Sequence, residues 1–159
     1  MKNTFASLLF CIMLFIGFMS AQQNIDFSGN WILSKERSKF QLKFFEKLEK
    51  AVVYIEHDEP LFRFTRVFTS EGQDNSLTYE LTTDGKEKIT QEGNQKYISQ
   101  LYWEGETLIF FTRIESPQCE ATNTVRYRLL NNGRTFQAEE SFRGPRLKYD
   151  NLWVFEMEK

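Results

Sequence analysis

Few residues in this 159-residue chain are of a type that does chemistry. It contains one histidine, His57, and two cysteines, Cys11 and Cys119. A thiol nucleophile needs a base within hydrogen-bond reach, so His57 with Cys119 is the nucleophilic pair these types allow. His57 falls at a hairpin tip and Cys119 in a distant loop, and no spacing brings them together. One imidazole and two separated thiols cannot build a His-rich or Cys-rich metal site. Phosphate-cradling glycine loops, dinucleotide fingerprints and serine elbows are missing as well. The chain is therefore expected to be no enzyme, with no cofactor and no metal.

What remains is a set of polar groups among aromatic ones. Arg66 lies between Phe64 and Phe68 on one strand face, where its guanidinium fork could meet a ligand carboxylate, because a buried charge needs a counter-ion. Glu140 and Tyr149 are expected on the same interior. In the structural alternative, Arg66 pairs with Glu140 or stacks on Trp31 and plugs the closed end without meeting a ligand. Arg113, beside Phe111, is a second anchor candidate. Phe64, Phe68, Tyr79, Phe136 and Trp153 would line a cavity, or serve as plain core.

These side chains need strands to position them. The 16 Phe, 6 Tyr and 3 Trp favour pleated, half-buried surfaces. Ten short alternating runs follow one another at sandwich or barrel spacing: 28–33, 51–57, 61–69, 76–83, 86–92, 97–103, 107–115, 123–130, 135–143 and 146–156. Connections this short force antiparallel neighbours. The one long gap holds Ser38-Lys39-Phe40-Gln41, a capping-box pattern, with Phe40, Phe44, Phe45 and Leu48 on one helical face. It reads as a helix to about Lys50.

Turn chemistry fixes the faces. Asn132-Gly133 as a two-residue type I′ turn sets Leu129 opposite Phe136, Tyr127 opposite Ala138 and Arg126 opposite Glu139. A reversal at Gly144-Pro145 sets Phe142 opposite Leu147, Glu140 opposite Tyr149 and Phe136 opposite Trp153. Glu59-Pro60 sets Ile55 opposite Phe64, Val53 opposite Arg66 and Glu56 opposite Arg63. Thr83-Asp84-Gly85, as a three-residue loop with a bulge, sets Ile89 opposite Tyr79. The pair around Gly105-Glu106 is apolar on both faces: Ile98, Tyr102, Ile109 and Phe111 back the face that carries Leu101 and Phe110. Another subunit would cover such a surface.

The 20 Lys+Arg and 22 Asp+Glu alternate in sign, which leaves no footprint for nucleic acid. Residues 1–21 read as a signal peptide: Lys2, an apolar stretch from Leu8 to Phe18, then Met19-Ser20-Ala21 at the cleavage site. Phe10 stands where a lipoprotein signal needs a small residue before Cys11. The mature domain, 22–159, keeps only Cys119, so no internal disulfide supports the fold.

The stretch Asp26-Phe27-Ser28-Gly29-Asn30-Trp31 with Ser34-Lys35 resembles the opening strand of small secreted bacterial lipocalin-like proteins. Its Gly29-x-Trp31 resembles the first lipocalin signature. Glu139-Glu140-Ser141-Phe142-Arg143-Gly144-Pro145-Arg146 through Trp153-Val154-Phe155 is similar to that family's closing hairpin. The resemblance implies an all-β, antiparallel up-and-down calycin-type barrel of eight to ten strands, closed at one end around a cavity. Gly29 and Trp31 would be structural residues. The helix between the first two strands is similar to the arrangement in fatty-acid-binding proteins.

The expected function is an exported protein, periplasmic or extracellular, binding a small hydrophobic or amphipathic molecule inside the barrel. The competing expectation is a filled barrel whose surface meets another protein as an inhibitor or envelope component, or forms a homodimer. The width of the interior separates the two.

Overall fold

A computed structural model of the chain describes residues 25–158; the expected signal peptide lies outside them. Ten strands are present: β1 (Gly29–Leu33), β2 (Lys50–Asp58), β3 (Leu61–Ser70), β4 (Gln73–Thr82), β5 (Lys88–Glu92), β6 (Gln95–Glu104), β7 (Thr107–Ser116), β8 (Cys119–Leu130), β9 (Thr135–Arg143) and β10 (Lys148–Met157). Each pairs antiparallel with its sequence neighbour, except β4 with β5, and β1 pairs with β10. The resulting order, β4-β3-β2-β1-β10-β9-β8-β7-β6-β5, curls one sheet into a nearly closed barrel.

Two hairpins have the register their turns dictate. Ile55 faces Phe64, Val53 faces Arg66 and Glu56 faces Arg63 across β2–β3. Leu129 faces Phe136, Tyr127 faces Ala138 and Arg126 faces Glu139 across β8–β9. Asn131, Asn132 and Gly133 take φ of 53°, 55° and 78°, and an alanine resists that region by about 1–2 kcal/mol per residue. Replacing Asn132-Gly133 with Ala-Ala is therefore expected to cost roughly 2–4 kcal/mol, read as a lower thermal midpoint; an unchanged midpoint would refute the turn.

Three expectations are corrected. The β9–β10 register is shifted by two residues: Phe142 faces Tyr149, Glu140 faces Asn151 and Phe136 faces Phe155. Gly144–Leu147 forms a four-residue loop closed by Gly144 N–H on the Leu147 carbonyl at 2.9 Å. A shift of two preserves the face, so Glu140 and Tyr149 still point inward. Next, Thr83-Asp84-Gly85 does not make a hairpin. Asp84 accepts hydrogen bonds from the Thr82 hydroxyl and the Lys86 amide, Gly85 N–H bonds the Leu101 carbonyl on β6 at 2.9 Å, and β5 pairs only with β6. Ile89 thus meets Ile98 rather than Tyr79 and is exposed on the outer wall.

Finally, the expected helix is a single 3-10 turn, Lys43–Lys47. Ser38 does not cap it. Its hydroxyl is engaged with the Ser34 carbonyl and the Val154 amide, and Lys39 bridges to Leu152, so the chain lies as a strap against β10. Phe40, Phe45 and Leu48 still turn to the core while Phe44 is left exposed.

Candidate ligand-binding interior

One end of the barrel is sealed. The segment before β1 enters it, and Phe27, fully buried, packs among Phe62, Trp103 and Phe136 with ring centroids 5.9–6.2 Å away. Phe27 donates its N–H to His57 Nδ1 (3.3 Å) and accepts from Trp31 Nε1 (3.0 Å). Trp31 is itself fully buried. Gly29, at φ 148°, lies under its indole: an added Cβ would be 3.4 Å from Trp31 Nε1. The Gly29-x-Trp31 pair thus sits inside the seal.

Glu59 holds this seal from the rim. It accepts hydrogen bonds from Trp103 Nε1 (2.8 Å), His57 Nε2 (3.0 Å) and the Thr83 hydroxyl. Partial burial alone would raise its carboxyl, but the bonds from Thr83, Trp103 and His57 outweigh that and hold it below the ordinary range. A carboxyl lowered by folding stabilises the protein above its unfolded pKa and ceases to as pH falls through its folded pKa. Glu59→Gln should therefore flatten the loss of thermal midpoint below about pH 4.5; a variant that loses stability as steeply as the wild type would refute this role.

His57 is thereby committed to the seal. Cys119 is exposed in the β7–β8 turn, bonded to Ser116. Because Trp103 on β6 reaches Glu59 at the sealed end, the β7–β8 turn lies at the other end of the barrel, and the pair forms no dyad. Among the described residues no group of three His, Cys, Asp or Glu side chains is placed to hold a metal.

Above the seal Phe62 and Phe64 stack on Tyr127 with ring centroids 6.3 and 5.9 Å away, and the space left among them and their neighbours is about 10 Å³. Phe136, fully buried among Trp31, Tyr127 and Phe155, is core and not a wall. Phe64, beside Tyr79 and Tyr127, forms the floor. Beyond it opens a cavity of about 310 Å³ lined by β4, β5, β6, β7 and β8, including Tyr79 and Phe110. Outward residues of β4, Thr78 and Glu80, line it as well as inward ones. It therefore breaches the wall at the β4–β5 seam, where no ladder closes the sheet.

Arg66 faces inward on β3. Its guanidinium lies 4.2 Å from the centre of the Phe68 ring, and that ring stacks on Trp153 at 5.5 Å and 9°. Cation–π contact fixes the plane of the fork and leaves its N–H donors without a hydrogen bond to any described residue. It neither pairs with Glu140 nor stacks on Trp31, so the expected plug is not formed. Arg66 is not part of the cavity lining; its β4 neighbours Leu77 and Tyr79 are. Its charge reaches the hydroxyls of Tyr79, Tyr127 and Tyr149. Burial raises the Tyr79 and Tyr127 phenols, so both remain neutral donors, and neither hydroxyl bonds a described residue.

Glu140 has a different role. Its two oxygens accept from Asn151 (3.0 Å), Trp153 (2.9 Å), Asn123 (3.3 Å) and Tyr149 (3.5 Å). Four donors fill the carboxylate's acceptor sites, so it ties β8, β9 and β10 together and has none left for a ligand. Burial, then Glu140, pushes the Tyr149 phenol up to about 12. Phe45, packed on Trp153 and Tyr149, covers this corner of the mouth.

Arg113 does not face the interior. It pairs with Ile98 on the outer wall and lies 3.1 Å from Glu115. On that wall Ile98 and Ile109 are 4% and 1% exposed, Tyr102 and Phe111 are half-buried and Ile89 is exposed. The sequence reading missed Tyr127, Glu59 and the hydroxyl residues Ser99 and Thr112 of the cavity. The last two share a strand face with Leu101 and Phe110, so strand periodicity ties them to whichever face of β6 and β7 turns inward.

No protein-family model matches the chain, and no curated protein matches its sequence. Solved structures do match. Human cRBP IV superposes with a TM-score of 0.56 at 17% identity, over 84% of this chain and 99% of its own. Zebrafish ileal bile acid-binding protein, complexed with cholic acid, gives 0.53 at 14% identity, over 83% and 98%. A secretory abundant heat soluble protein from Ramazzottius varieornatus gives 0.50 at 13%, over 82% and 94%. Identity this low speaks for fold alone: the chain is a ten-stranded, calycin-like β-barrel.

Proposed function

We propose that this protein is an exported, non-catalytic carrier that holds a small amphipathic acid inside the barrel. The observation that carries the reading is Arg66: a cation fixed against Phe68 inside the barrel, beside a cavity, with its donors unbonded to protein. A carboxylate there would take the guanidinium fork, with the neutral hydroxyl of Tyr79, on the cavity lining, as a further donor. The apolar part would lie in the cavity, whose volume is at the lower end for small-molecule sites. Among similar barrels, one is a bile acid-binding protein by name. The amino-terminal pattern supports export, to a periplasm or the cell exterior. The filled-barrel alternative loses ground to the cavity. Titration with dodecanoate, followed by the fluorescence of Trp153 beside the site, tests the reading. Saturable one-to-one change is expected; no change up to millimolar acid would contradict it.

A further inference from the structure

The cavity has two unlike walls. On one side Leu77 and Leu81 of β4 present apolar surface. On the other, inward-facing Ser99, Thr112 and Asn123 stand side by side, because Ser99 pairs with Thr112 and Thr112 with Asn123. The adjacent inward rung on one side of this row is apolar, Leu101–Phe110–Val125, and the one on the other is Tyr97–Ile114–Ala121. A wall built only for packing would continue those rungs. Instead two buried hydroxyls interrupt them, with Ser99 Oγ and Thr112 Oγ1 3.1 Å apart. Their mutual bond uses one hydroxyl proton. The second proton and the spare lone pairs have no described protein partner. A polar group kept from water at a site without a partner is costly, and an unbranched acyl chain laid here would impose that cost.

Resting on the carrier reading, we infer that the preferred ligand is facially amphipathic: an acid whose hydroxyl groups share one face. That face lies against Ser99, Thr112 and Asn123, and the opposite apolar face packs on Leu77 and Leu81. The hydroxyl row is thus the specificity device, while Arg66 meets the acid group.

The test is calorimetric titration with cholate, whose hydroxyls share a face, and dodecanoate, whose chain carries none. Both are carboxylates, so Arg66 treats them alike. Wild-type protein is expected to bind cholate at least tenfold more tightly. The Ser99→Ala, Thr112→Val double variant should lose that preference, weakening cholate about tenfold and leaving dodecanoate within twofold. Retained dodecanoate binding also shows that the variant is folded, and Thr112→Val alone provides a milder second variant. Equal affinities in the wild type, or a cholate affinity untouched by the substitutions, would overturn the inference and leave the carrier reading standing. Binding of neither acid would overturn both.

Discussion

Phe27→Ala is expected to destabilise the barrel by about 3–5 kcal/mol, the range for emptying a buried aromatic site. The ring is fully buried between Phe62, Trp103 and Phe136, and neighbours fixed on three strands cannot collapse into the space it leaves. Its backbone bonds to His57 and Trp31 would survive the substitution, so the loss reports packing at the seal. Urea unfolding should show a lower midpoint with an unchanged slope. A loss under about 1 kcal/mol, well below the aromatic-to-alanine range, would mean that the segment before β1 is not seated in the barrel.

Arg66→Leu should act on binding more than on folding. Hydrogen bonds to a charged group contribute about 1.5–3 kcal/mol, so dodecanoate should bind about 10–150-fold more weakly at 1.4 kcal/mol per tenfold. The folded protein should meanwhile be as stable or slightly more so, since the variant replaces a half-buried cation that has no ion pair among the described residues with an apolar side chain. Unchanged affinity together with a large loss of stability would instead make Arg66 a structural residue.

Local chemistry explains which features the sequence made legible. The turns at Glu59-Pro60 and Asn132-Gly133 set their own registers, so the inward positions of Arg66, Phe64 and Tyr127 follow from a period of two. The β4–β5 seam was hidden because Gly85 bonds to Leu101 on β6, a partner no local pattern reveals. Ser38 likewise reads as a helix cap until β10 arrives to take its hydroxyl. The inward face of Glu140 was legible, but its saturation by four donors depends on three strands meeting. Arg113 was ambiguous because β6 and β7 are apolar on both faces, and alternation cannot choose between two apolar faces. For the site, sequence supplied the cation and the aromatic rings. The fold supplied the stack of Arg66 on Phe68 and Trp153, the sealed end and the position of the cavity.

The carrier account stands or falls on whether the interior holds a molecule. Native mass spectrometry of the protein purified from a host that exports it, compared with the mass after denaturation, measures this directly. The account predicts a reproducible mass excess of one small acid per chain, lost on denaturation and much reduced in Arg66→Leu. Identical native and denatured masses, persisting after incubation with excess cholate or dodecanoate, would contradict it.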